Sequence, residues 1–125
     1  WRTMKFKVLV ALLFACGPCI VSSAQSAPNT AAMVTLVGCV ERGTGEGLFV
    51  GKATAPQEMD DRLPEQPALD VPLGTGRVRL IGTLDEFGVD AHVEHKVWVK
   101  GLYIEGGFEN RLNLVSITHL AETCQ

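Results

Sequence analysis

Five apolar runs stand out along the chain, separated by stretches rich in glycine, proline and charge. Residues 33–41 (Met-Val-Thr-Leu-Val-Gly-Cys-Val-Glu) are rich in β-branched side chains and predict a first strand, with Gly38 marking a bend or bulge. Residues 48–53 predict a second strand. The glycine-rich Gly43-Thr44-Gly45-Glu46-Gly47 between them reads as a hairpin turn, because a dinucleotide fingerprint requires a helix after its glycines and here a strand follows. Residues 77–82 alternate Arg-Val-Arg-Leu, the signature of a third strand with one wet and one buried face. Residues 84–91 carry Asp85 and Glu86 early, which suits a short helix or turn that Gly88 keeps short. Residues 96–104 and 112–120 give the fourth and fifth strands.

Three strands, a short helical segment and two more strands follow the order of an OB-fold, a five-stranded, partly open Greek-key barrel. The expected class is therefore all-β. An immunoglobulin-like sandwich needs about seven strands. The connection over residues 55–76 is unusually long, and contains Pro56, Pro64, Pro67 and Pro72 among acids Glu58, Asp60, Asp61, Glu65 and Asp70. It lacks the alternating donors and central glycine of a calcium loop, so a solvated charged loop is expected.

The N-terminal stretch has a different character. Lys5 and Lys7 precede an uninterrupted apolar run over residues 8–16, Gly17-Pro18 breaks it, and Ser22 and Ala24 supply small residues for a cleavage site. This predicts a signal peptide over residues 1–24 starting at Met4, a disordered leader over 25–32 and an OB-fold-like domain over 33–125. The run falls short of the roughly 18–20 residues of a membrane span. An alternative is a lipoprotein anchored at Cys16, although Phe14 is large for a lipobox. The export segment changes the composition. The 125 residues carry a formal charge of −3, but eight basic residues against all fourteen acids leave −6 on residues 25–125. Such a charge disfavours nucleic acid and anionic membrane surfaces. Of four cysteines, Cys39 and Cys124 remain beyond the signal and predict one disulfide in an oxidising compartment, periplasmic or secreted.

Residues 34–40 (Val-Thr-Leu-Val-Gly-Cys-Val), 79–82 (Arg-Leu-Ile-Gly), 92–101 (His-Val-Glu-His-Lys-Val-Trp-Val-Lys-Gly) and 117–124 (Ile-Thr-His-Leu-Ala-Glu-Thr-Cys) together resemble a group of small exported bacterial proteins with an OB-fold-like domain of unknown function. The resemblance spans residues 33–124 and implies a fold and an export route. It departs from the group's Gly-His-x-Val segment at Glu94.

No nucleophile elbow or catalytic cysteine signature is present, so an enzyme is not expected, nor is a cofactor. His92 and His95, spaced i and i+3, can face one metal, and His119 can join from the fifth strand. A metal site needs three or four ligands, and the plainer expectation is that His95 bonds locally while His92 stands in solvent. Trp98, Tyr103 and Phe108 are candidates for an aromatic ligand-binding face. Trp98 alternates with Val97 and Val99, so it points away from the core and lies exposed or under the long connection. The functional expectation is an exported binding module of the envelope with a small molecule, glycan or protein as ligand. A structural or accessory lipoprotein is the alternative, and a histidine-based metal protein a third reading.

Overall fold

The computed structural model describes Gly17 and residues 31–60 and 62–125. The expected signal peptide apart from Gly17, with the candidate anchor Cys16, the expected leader up to residue 30 and Asp61 lie outside the described residues. The chain forms β1 (Ala32–Arg42), β2 (Leu48–Ala53), β3 (Gln57–Glu58), β4 (Gly76–Ile81), a 3-10 helix over Val89–His92, β5 (Lys96–Ile104) and β6 (Asn110–Ala121). The second and fourth strands keep their expected limits. The others shift by one or two residues, and Ala32, expected in the leader, opens β1. The short helix or turn expected over 84–91 is a series of turns leading into the 3-10 helix.

The strands close into a barrel in the order β1-β2-β4-β6-β5-β1. All barrel pairings are antiparallel except β4 with β6, where Val78 lies against Asn110 and Ile81 against Asn113. This is an OB-fold-like barrel. β1 serves both sides of the closure: residues 32–39 pair with β5, while Cys39–Arg42 pair with β2. Gly38 sits at that changeover. A Cβ there would stand 2.3 Å from Val50 Cγ1 and 2.7 Å from the Gly51 oxygen, so only glycine lets β2 approach the bend this closely.

Val34, Leu36 and Val40 of β1, Val50 of β2, Val78 and Leu80 of β4, Val97 and Val99 of β5 and Leu112 and Leu114 of β6 fill the barrel. Val89, fully buried on the 3-10 helix, packs against them together with Leu84 and Phe87. β1 is buried on both faces. Thr35, Val37 and Cys39 alternate with the core residues and are also sheltered.

The cover over that outer face is the connection expected to be a solvated loop. It is tied down along its length. β3 within it pairs with Val34 and Thr35, Met59 N donates to the Met33 oxygen, and Gly74 N donates to the Lys52 oxygen. Lys96, 1% exposed on the outer side of β5, donates from Nζ to the carbonyl oxygens of Leu69 and Val71. The proline-rich segment is thus a strap across β1 and β5. Among the described residues, no helix is long and apolar enough to cross a membrane.

Candidate functional site

Between the strap and the barrel lies a groove of about 520 Å³, within the range of small-ligand sites. Its floor is Trp98 of β5 with Thr35, Leu36 and Val37 of β1. Thr54, Gln57, Glu58, Asp60, Arg62 and Glu65 form the polar wall, with Met59 and Leu63 adding apolar surface. Trp98 is half-buried: it points away from the core, as its alternation with two core valines requires, and the strap covers it in part. Thr54 anchors one end of the wall, its hydroxyl oxygen accepting from Val37 N at 3.0 Å and its own amide donating to the Val37 oxygen at 2.8 Å.

The other two candidate aromatics have different surroundings. Tyr103 packs against the core. Burial, followed by the nearby Glu105 charge, raises its phenol above the ordinary value, with a hydrogen bond to Asn110 acting the other way. Phe108 is fully exposed in the β5–β6 turn, beside a shallow hollow with Phe49, Arg77 and Arg79. Both guanidiniums lie over the Phe49 ring, at 3.8 Å for Arg77 and 4.6 Å for Arg79. Arg77 also pairs with Glu41 at 2.8 Å and Arg79 with Glu109. The β2–β4 face, where OB-fold barrels take their oligomers, therefore carries arginines already matched by carboxylates.

At the far end of β5 the structure brings all three histidines together. His92 ends the 3-10 helix, His95 immediately precedes β5, and His119 lies opposite Val97 on β6. One ring nitrogen from each lies within 4.8 Å of those of the other two. His119 is exposed, but His92 is half-buried, which corrects the expectation that it stands in solvent. His95 does bond locally, through its backbone N donating to the His92 oxygen at 2.8 Å, while Nδ1 of both His92 and His95 is buried without a hydrogen bond. Burial, then the neighbouring His119 and His95, hold the His92 imidazole below its ordinary pKa, favouring its neutral form.

The turn carrying two of these histidines is fixed to β1. Glu94 N donates to the Val40 oxygen at 2.7 Å, and Val40 N donates to the His95 oxygen at 3.2 Å. Cys39 and Cys124 form the expected disulfide, joining β1 to the segment after β6, and Cys124 Sγ lies 3.2 Å from the Glu94 oxygen. Glu94 itself has φ 69°, a left-handed conformation that glycine adopts without strain. Glu94→Gly should raise Tm by a few degrees, the relief of about 1 kcal/mol of backbone strain less the entropy cost of glycine. A fall in Tm on thermal melting would show that the Glu94 side chain supplies more than its backbone costs.

The sequence did not single out Lys96 or Thr54, and it read the strap's acids Glu58, Asp60 and Glu65 as a solvated loop rather than as the wall of a groove. A lysine opening a strand reads as a solvated residue, and nothing in its local pattern signals two carbonyl partners more than twenty residues away. No family model matches this chain, and no curated protein or solved structure matches it either.

Proposed function

We propose that the chain is an exported, non-catalytic binding module of the bacterial envelope that takes a glycan in the groove beneath the strap. The observation that carries the reading is Trp98, a half-buried indole on the floor of a groove whose wall is polar. A sugar ring offers an apolar C–H face and a rim of hydroxyls. An indole supplies the surface for the first, and Thr54, Gln57, Glu58, Asp60 and Arg62 supply donors and acceptors for the second. Charge argues against a phosphate backbone in the same place, since among the described residues the wall sets Glu58, Asp60 and Glu65 against Arg62 alone. The reading of residues 1–24 as an export signal supports a glycan ligand, since envelope glycans lie beyond the inner membrane.

Trp98 is the sole tryptophan of residues 25–125, so its emission reports on the groove directly. Titration of the purified protein with soluble chitooligosaccharides and peptidoglycan fragments should give a saturable shift for at least one of them. Trp98→Ala should lower the affinity for that glycan at least tenfold in calorimetry, the loss of roughly 1.4 kcal/mol or more of stacking. Affinity unchanged in Trp98→Ala, or no binding by either class of glycan, would count against the reading.

A further inference from the structure

We propose that His92, His95 and His119 together bind one divalent transition-metal ion of the zinc and copper class, at a site separate from the groove.

Three independent features carry this. The first is the spacing of the rings. Around a tetrahedral ion with metal–nitrogen bonds of about 2.0–2.1 Å, the centroids of two ligating imidazoles stand roughly 5 Å apart. Here they are 5.1 Å apart for His95 and His119, 5.7 Å for His92 and His119, and 6.2 Å for His92 and His95. The ligand atoms, within 4.8 Å of one another, need to close by at most about 1.5 Å per pair to meet one ion. Side-chain rotation achieves that, and the exposed His119 is free to turn.

The second feature is the orphaned nitrogens. Among the described residues, Nδ1 of His92 and Nδ1 of His95 are the two buried side-chain nitrogen or oxygen atoms without a partner. Leaving a buried polar atom unsatisfied typically costs about 1–3 kcal/mol. Two such atoms, on rings that stand with a third imidazole at centroid distances of 5.1–6.2 Å, are an unfavourable way to pack a protein surface. They are a favourable way to hold a cation whose ligands are neutral imidazoles.

The third feature is preorganisation. The ligands come from three segments: the end of the 3-10 helix, the residue before β5, and β6. The β5–β6 ladder is irregular between Lys96 and Val97, where β6 advances from His119 to Ala121 while β5 advances by one residue. Two backbone hydrogen bonds to Val40 fix the turn, and the Cys39–Cys124 bridge pins β1 to the segment five residues beyond His119. A site built on such elements keeps its backbone in place without the metal, leaving only side-chain rotation to bring the ligand atoms in.

The donor set selects the metal class. Imidazole nitrogen suits zinc, copper and nickel, whereas magnesium and calcium require oxygen ligands. With both cysteines of the domain in the disulfide, thiolate does not enter the set. Copper(II) should bind more tightly than zinc, as nitrogen sites generally do. Three protein ligands leave a fourth position for water on the exposed side of His119.

The test is calorimetry on untagged, chelator-treated protein with Zn²⁺ and Cu²⁺ in separate titrations, and Mg²⁺ as a third. The expected result is one Zn²⁺ or Cu²⁺ per chain at micromolar affinity or tighter, no binding of Mg²⁺, and a rise in Tm when the ion is present. His119→Ala, at an exposed position that leaves the fold intact by circular dichroism, should weaken binding about 100-fold and abolish the rise. His92→Gln and His95→Gln should do the same, and Phe108→Ala, at a fully exposed position away from the histidines, should leave the metal affinity unchanged. Absence of heat with both transition metals at 50 µM protein (about ten times the weakest affinity expected), equal binding of Mg²⁺, or affinity within threefold of wild type in His119→Ala would overturn the proposal.

Discussion

Replacing Cys39 and Cys124 together by serine should lower the unfolding free energy by about 4–5 kcal/mol, the chain-entropy value for a loop closed over 85 residues. The effect is large because the domain is small. A chain of this size has a total stability of roughly 5–15 kcal/mol, so the bridge supplies a third or more of it. Its position adds to the loss. Cys39 lies opposite Lys96 in the β1–β5 ladder, and Cys124 lies just past the end of β6. The bridge therefore ties the strand that closes the barrel to the last strand laid into it. In urea, with an m value of about 1–1.5 kcal/mol/M for a domain of this size, the midpoint should fall by roughly 3–5 M, and dithiothreitol should move the wild type equally far. A shift below about 0.5 M would mean that the reduced chain loses almost nothing, and that barrel closure is held by the ladders alone.

Lys96→Met should release the strap while leaving the barrel folded. The Lys96 ammonium is 1% exposed and bonds the Leu69 and Val71 carbonyl oxygens. No carboxylate pairs with it among the described residues. A hydrogen bond to a charged group contributes about 1.5–3 kcal/mol, so loss of even one of the two weakens docking of the strap by that amount. Methionine keeps the length and much of the volume of the lysine stem, which confines the change to the ammonium. The Met59 and Gly74 amides, which bond Met33 and Lys52 at either end of the strap, should exchange with solvent about 10–100 times faster in the variant. Amides in the β5–β6 ladder should slow or quicken by less than threefold, a difference below about 0.7 kcal/mol. Unchanged exchange at Met59 and Gly74 would show that β3 holds the strap without Lys96.

The barrel was legible because its strands alternate. Arg77-Val78-Arg79-Leu80 and Lys96-Val97-Trp98-Val99 put valine and leucine inside at every second position, and both runs lie where the pattern places them. β1 carried a second message that was harder to read. Its near-continuous apolar run means burial on both faces, with Val34, Leu36 and Val40 in the core, Val37 beneath the strap and Cys39 in the disulfide. β3 left no trace in the pattern, since two residues paired through their backbones need no particular side chains. The groove was half legible: the outward direction of Trp98 follows from parity, but its wall depends on a strap whose docking points are far off in sequence. The histidines divide in the same way. His92 and His95 are neighbours by spacing, whereas the arrival of His119 depends on the β5–β6 register and its irregularity at Val97. Local patterns do not encode that register.

The central claim is that ligand enters between the strap and the outer face of β1 and β5. The most direct measurement is amide and indole chemical-shift mapping of the ¹⁵N-labelled protein with the glycan that shifts Trp98 emission. Perturbations should gather at Thr35, Val37, Thr54, Glu58, Asp60, Arg62 and the Trp98 indole N–H. Perturbations gathered instead at Phe49, Arg77, Arg79 and Phe108 on the β2–β4 face would contradict it.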